Sequence, residues 1–316
     1  MRAMRSEPAT VAVIGAGSIG GSWVALALGH GAVVHAADPV DGAEDRLRVA
    51  VTGHLSALDA SRSVLDRLYF HTDPAAAAAP ADLVIEAGPE RVEVKRELFA
   101  VLDEAAAPDV VLASSSSGFG PSSFQEACRH PDRVVVAHPF NPPHLVPLVE
   151  VVGGRRTSEE TIAATMTAMA TLGRRPVRVR AELPGHVVNR LQAALWREAY
   201  DLIGRGAITV ADLDLAVSSG PGLRWALLGP IATQHLSGGP AGLAHVLEHL
   251  GPPMVDWWAD LGSPALTPEL SDQLVAGVTE EFAGAEREVL ARRDRALGEL
   301  LALKERLGLD GEVGPQ

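Results

Sequence analysis

Cysteine, long apolar runs and positive charge are all scarce in this chain, and each shortage closes off a class of function. Cys128 is the only thiol among 316 residues, so no intrachain disulfide can form and a reducing compartment is expected. No apolar stretch reaches the roughly 18 residues that a membrane span requires. The formal charge of −13 argues against a nucleic-acid surface as the partner. It also gives no general attraction for polyanions, so any phosphate must be held by local geometry. Residues Met1 to Pro8 are mixed and polar, without the apolar core of a secretory signal, and a cytoplasmic location is expected.

What is present is the composition of a globular protein, 47% hydrophobic and 21% charged, in a chain long enough for two domains. Short apolar runs alternate with helical patterns through the first half, as βαβ units with a parallel sheet require. Strands are expected at 11–14, 33–37, 83–85, 110–112, 134–136, 149–152 and 177–179. Helices are expected at 18–30, 43–58, 91–105 and 159–172. After Pro184 only helical spacing recurs, at 187–203, 210–217, 241–250 and 283–307. The expected fold is therefore α/β, a Rossmann-type doubly wound sheet over residues 1–183, followed by an all-helical second domain over residues 184–316. The alanine run 75–79 is low in complexity and short.

Gly15-Ala16-Gly17-Ser18-Ile19-Gly20 has the GxGxxG spacing between an expected strand and an expected helix, and Asp38 closes the next strand. Gly15 permits the tight turn, Gly17 lets backbone approach a pyrophosphate, and Gly20 lets helix pack on sheet. The amides of the first helical turn can then bind phosphate without a lysine. Asp38 can accept hydrogen bonds from both ribose hydroxyls and would repel a 2′-phosphate, so NAD is expected over NADP.

Oxidation of an alcohol by hydride loss needs a base for the hydroxyl proton, and an imidazole suits neutral pH. His138 follows a β-branched strand in the segment Ala137-His138-Pro139-Phe140-Asn141-Pro142-Pro143, at the sheet end where such folds bind ligands. Glu150 lies twelve residues on, placed to pair with His138 across adjacent strands. A carboxylate there would orient the ring and stabilise its protonated form. His245 and His249 stand four apart on an expected helix. No acid directly follows His245 and no third ligand is near, so no metal is expected.

The sequence resembles the short-chain L-3-hydroxyacyl-CoA dehydrogenase superfamily, and within it the branch of L-gulonate 3-dehydrogenase (lambda-crystallin) and L-carnitine dehydrogenase. The resemblance runs from about Val11 to Arg306. It is carried by residues 15–20, 86–90 with Lys95, 114–117, 138–143, 148–152, 185–191 and 222–230. It implies His138 as base and Glu150 as its partner. Ser117 would hydrogen-bond the substrate oxygen, and Asn189 would bind the same oxygen. Glu90 and Lys95 would contact the nicotinamide ribose, with Asn141 on the nicotinamide side. It also implies a homodimer. The family's usual Ser-Asn-Thr-Ser is here Ser114-Ser115-Ser116-Ser117, followed by Gly118.

Two features lean away from coenzyme A. The stretch from Asp41 to Phe70 is short and has no lysine, whereas acyl-CoA members carry a long lysine-rich hairpin there. Arg224-Trp225 resembles the gulonate and carnitine branch, and Arg224 can hold a substrate carboxylate through two parallel hydrogen bonds. A quaternary ammonium such as carnitine's calls for an aromatic cage. Trp196, Trp225, Trp257 and Trp258 could supply one, although tryptophans in helices usually serve the core, and adjacent Trp257 and Trp258 face different ways. The expected reaction is NAD-dependent oxidation of a small 3-hydroxy acid, a sugar acid such as L-gulonate first. L-carnitine, an L-3-hydroxyacyl thioester, and a non-catalytic NAD-binding scaffold are the alternatives.

Overall fold

The computed structural model describes residues 9–58 and 60–309. Met1 to Pro8, read above for a leader, lie outside them. The chain divides into two compact units after Arg190, within the first turn of the helix that follows the sheet domain.

The first unit carries strands β1 (Thr10–Ile14), β2 (Val33–Ala37), β3 (Leu68–His71), β4 (Leu83–Glu86), β5 (Val111–Ser114), β6 (Val134–Pro139), β7 (Leu148–Gly153) and β8 (Arg175–Val179). They form one sheet in the order β3-β2-β1-β4-β5-β6-β7-β8. Every pairing is parallel except β6 with β7. Helices α1 (Ser18–Gly29), α2 (Ala43–Ala57), α3 (Pro74–Ala78), α4 (Val92–Ala105) and α5 (Glu159–Thr171) lie between strands. Both sheet faces are covered, which is why the strands read as continuous apolar runs. Val11 and Val13 enter one core with Trp23 and Leu26 of α1, while Ala12 and Ile14 enter the other with Phe99 and Leu102 of α4.

The strand at 68–71 had no sequence signature. It is a four-residue edge strand whose place is set by pairing with β2, and so short a run shows no period of its own. The alanine run is structural: α3 starts at Pro74, is capped by the Asp73 side chain, and buries Ala77 and Ala78 completely. Side chains this small let a helix lie close against the sheet edge.

The second unit is helical. Helix α6 (Val188–Gly204) leads into it, followed by α7 (Val210–Ser219), α8 (Pro221–Leu227), α9 (Pro230–Ser237), α10 (Gly242–Asp260), α11 (Pro268–Phe282) and α12 (Glu286–Arg306). Helix α10 continues through Pro252 and Pro253, well past the expected end. The expected helix 283–307 begins only at Glu286, because Ala283 and Gly284 adopt positive φ (49° and 84°) and end α11. Among the described residues, no helix is long and apolar enough to cross a membrane.

Candidate active site

Strand order reverses direction of growth between β1 and β4, so a crevice opens at the carboxyl ends of these strands. Gly15, directly after β1, has φ 106°, and a Cβ there would lie 2.5 Å from the Ala87 carbonyl oxygen. A Cβ on Gly20 would lie 1.8 Å from the Gly15 oxygen, so the helix could not close on the turn. A Cβ on Gly17 would meet nothing within 4 Å. That open space beside the first turn of α1, where Ala16, Gly17, Ser18 and Ile19 present their backbone, is what a pyrophosphate needs. No side chain from the N-cap, Gly17, caps the amides of the first helical turn, and the helix dipole favours an anion there. Asp38 is held by two backbone donors, Ala16 N at 2.8 Å and Val40 N at 2.9 Å. The residues fit NAD: Asp38 would hold the adenine ribose and α1 the pyrophosphate.

Beside this turn lies a buried charge network. Glu86, at the end of β4 and fully buried, accepts from Lys95 Nζ at 2.9 Å through both oxygens, from Gly88 N at 2.7 Å and from Ser114 Oγ at 2.5 Å. Lys95 was expected to touch the nicotinamide ribose. Its side chain is only 1% exposed and its ammonium lies between Glu86 and, at 3.3 Å, Glu90. Lys95 therefore supports Glu90 from below, because the face of α4 that carries it is turned to the sheet. Glu90 remains partly exposed and gathers the serine turn, accepting from Ser116 Oγ (2.7 Å), Ser117 N (3.0 Å) and Gly118 N (2.9 Å). Burial alone would raise its pKa. The Ser116 and Gly118 donors and the Lys95 charge outweigh that and hold it below the usual carboxylate range.

His138 and Glu150 stand directly opposite one another in the antiparallel β6–β7 pair, the arrangement that brings cross-strand side chains into contact. His138 Nδ1 lies 2.9 Å from Glu150 Oε2. A carboxylate accepts only, so Nδ1 carries the proton and Nε2 keeps a lone pair: the ring is set as a base. The second oxygen, Oε1, accepts from the amides of Val187 and Val188, each at 3.0 Å, at the start of α6. Burial would raise the Glu150 pKa, but the His138 hydrogen bond and these two amides more than offset it and keep the carboxylate ionised. The Phe140 ring centroid lies 4.7 Å from that of His138.

Asn189, in the first turn of α6, donates through Nδ2 to the Ser117 carbonyl at 3.1 Å. The first unit thus brings Ser117, Asn189, His138, Glu150 and Glu90 into one linked set. Asn141 is exposed just past β6. Arg224 belongs to the second unit, where it lines a cavity of about 470 Å³ with Trp225, Gln234, His245, His249 and Met254. The four tryptophans of the helical region are 43–63% exposed and form no core. Cys128 is buried, and burial first, then the Asp103 charge, pushes its thiol up to about 12, so it is no nucleophile. The rings of His245 and His249 lie against one another, tilted by 40°, with centroids 4.0 Å apart. Among the described residues, no group of three metal-ligating side chains is found.

Glu86, Ser114, the amides of Val187 and Val188, and His186 escaped the sequence reading. Glu86 and Ser114 sit in motifs quoted there but acquire their role only when β4 and β5 align at their carboxyl ends. The amides of Val187 and Val188 have no side-chain signature at all. His186, between them and Gly185, reaches the Ser116 carbonyl.

Comparison with known proteins is consistent along the chain. The family model of the 3-hydroxyacyl-CoA dehydrogenase NAD binding domain matches residues 10–182, and that of the 3-hydroxyacyl-CoA dehydrogenase C-terminal domain matches residues 185–263. An L-carnitine dehydrogenase of Nocardiopsis dassonvillei is 46% identical over 91% of this chain and 89% of its own length. One from Streptomyces coelicolor is 44% identical over 94% of this chain and 95% of its own. Among solved structures, an NAD+-dependent 5-formyl-3-hydroxy-2-methylpyridine 4-carboxylic acid 5-dehydrogenase superposes with a TM-score of 0.78. It is 30% identical, over 94% of this chain and 98% of that one.

Proposed function

The chain belongs to the 3-hydroxyacyl-CoA dehydrogenase family, and from that premise we propose that it oxidises L-carnitine at the 3-hydroxyl, as a homodimer. It is an NAD-dependent dehydrogenase acting on a 3-hydroxy group. The observation that carries the substrate is the likeness to L-carnitine dehydrogenases at 46% and 44% identity over nearly the whole chain. The sugar acid favoured by sequence gives way to it.

The chemistry follows from the tautomer of His138. Nε2 takes the hydroxyl proton while Nδ1–H stays on Glu150, whose charge stabilises the imidazolium that forms. NAD, when bound, supplies the hydride acceptor. Ser117 and Asn189 orient the substrate oxygen, Glu90 serves the nicotinamide ribose with Lys95 behind it, and Asn141 faces the nicotinamide side. Arg224, from this chain or from a partner subunit, is assigned to the substrate carboxylate, and the quaternary ammonium calls for an aromatic side chain such as Trp225.

NADH formation with L-carnitine, L-gulonate, 3-hydroxybutyrate and a 3-hydroxyacyl-CoA tests the reading. A desolvated cation–aromatic contact of about 2 kcal/mol corresponds to a preference of about 30-fold, and L-carnitine should lead in kcat/KM by at least that order. L-gulonate in first place would restore the sugar-acid reading. NADH binding without turnover of any substrate would favour a scaffold.

A further inference from the structure

The turn between β8 and α6 carries strain that local stability does not explain. Gly185 and His186 both have positive φ, 72° and 51°, and a residue with a side chain is strained in that region. The His186 ring is fully buried. Its Nε2 lies 3.0 Å from the Ser116 carbonyl oxygen. A carbonyl only accepts, so Nε2 carries the hydrogen and Nδ1 of the neutral ring is a bare acceptor. That Nδ1 is buried and has no hydrogen-bond partner among the described residues. Burial above all, helped by neighbouring His138, lowers the ring's pKa and keeps it uncharged.

A phenylalanine, somewhat larger, would bury no orphaned nitrogen but would leave the Ser116 carbonyl without this donor. What the imidazole adds is the Nε2–H donor, and its surroundings say what that donor holds. The ring centroid lies 5.3 Å from that of His138. Ser116 immediately precedes Ser117, and the two residues after His186 supply the amides that clamp Glu150. Asn189 then grips the Ser117 carbonyl. We propose that His186 is a positioning residue for the dehydrogenase reaction: its Nε2–H ties the serine turn to the segment that holds Glu150, and so sets Ser117 and Asn189 against the His138 base. The inference rests on His138 being the base.

The test compares the full-length wild type with H186F and H186Q, using whichever 3-hydroxy acid the wild type oxidises best. Glutamine can place an amide donor where Nε2 stands; phenylalanine cannot. H186F should lose about 10- to 100-fold in kcat, the order that a misplacement of about 1 Å costs. Its NADH affinity should be unchanged and its Tm close to that of the wild type, since the orphaned nitrogen removed offsets the Ser116 carbonyl left without its donor. H186Q should regain most of the lost kcat. Wild-type kcat in H186F, a loss that tracks a fall in Tm and NADH affinity, or no recovery in H186Q overturns the proposal. Should H186F not fold, H186M, flexible and without a donor, replaces it in the same comparison. A wild type that turns over no 3-hydroxy acid removes the dehydrogenase reading and this inference together. An active wild type matched by H186F removes the inference alone.

Discussion

Alanine in place of His138 should cut turnover by roughly 10²- to 10⁴-fold, the range a positioned general base contributes, and leave NAD affinity unchanged. The loss is large because nothing nearby can stand in. Glu150, the nearest ionisable group, already accepts from two amides through its other oxygen and lies buried beneath the ring. Cofactor affinity is spared because the glycine turn and Asp38 follow β1 and β2, whereas His138 ends β6 on the far side of β4 and β5. The fold should also hold, since Glu150 keeps two of its three donors. Steady-state NADH formation and a fluorescence titration with NADH measure the two effects separately. Retained turnover would take His138 out of the mechanism.

Glu150→Gln should be nearly as severe, for a different reason. Glu150 Oε1 faces two N–H donors and Oε2 faces a third, so every group around the carboxylate donates. A glutamine must turn its oxygen toward the two amides, because its NH2 cannot sit against them. The NH2 then points at His138 Nδ1, which becomes the acceptor. The ring proton moves to Nε2, and the lone pair that should take the substrate proton is lost. Neutralising an orienting carboxylate in this way costs on the order of 10⁴-fold in the best-known triad, and about 10²- to 10⁴-fold in kcat is expected here. NAD affinity and Tm should change little beside that. A variant with near-normal kcat would show that Glu150 does not set the tautomer.

The parts of the site legible in sequence were those whose chemistry is tied to local spacing. The glycine turn is one, since Gly15 and Gly20 must lack a Cβ for steric reasons that hold wherever a strand feeds a helix this way. The His138–Glu150 pair is another, because a return between adjacent antiparallel strands brings residues twelve apart into register. Lys95 shows the opposite case. On a charged helix the sequence cannot say which face turns to the sheet, and Lys95 proved to lie inside, on Glu86. His186 was quoted within a motif but given no role, because its partners are a backbone carbonyl 70 residues earlier and a ring 48 residues earlier. The edge strand at 68–71 and the break at Ala283 were missed for a simpler reason: four residues cannot display a period, and alanine gives no warning of a positive φ.

A crystal structure of the complex with NAD and L-carnitine measures the central geometry most directly. The account predicts His138 Nε2 within about 2.6–3.2 Å of the substrate's C3 oxygen, with Nδ1 still on Glu150. A C3 oxygen seated out of reach of His138, against other side chains, would contradict it.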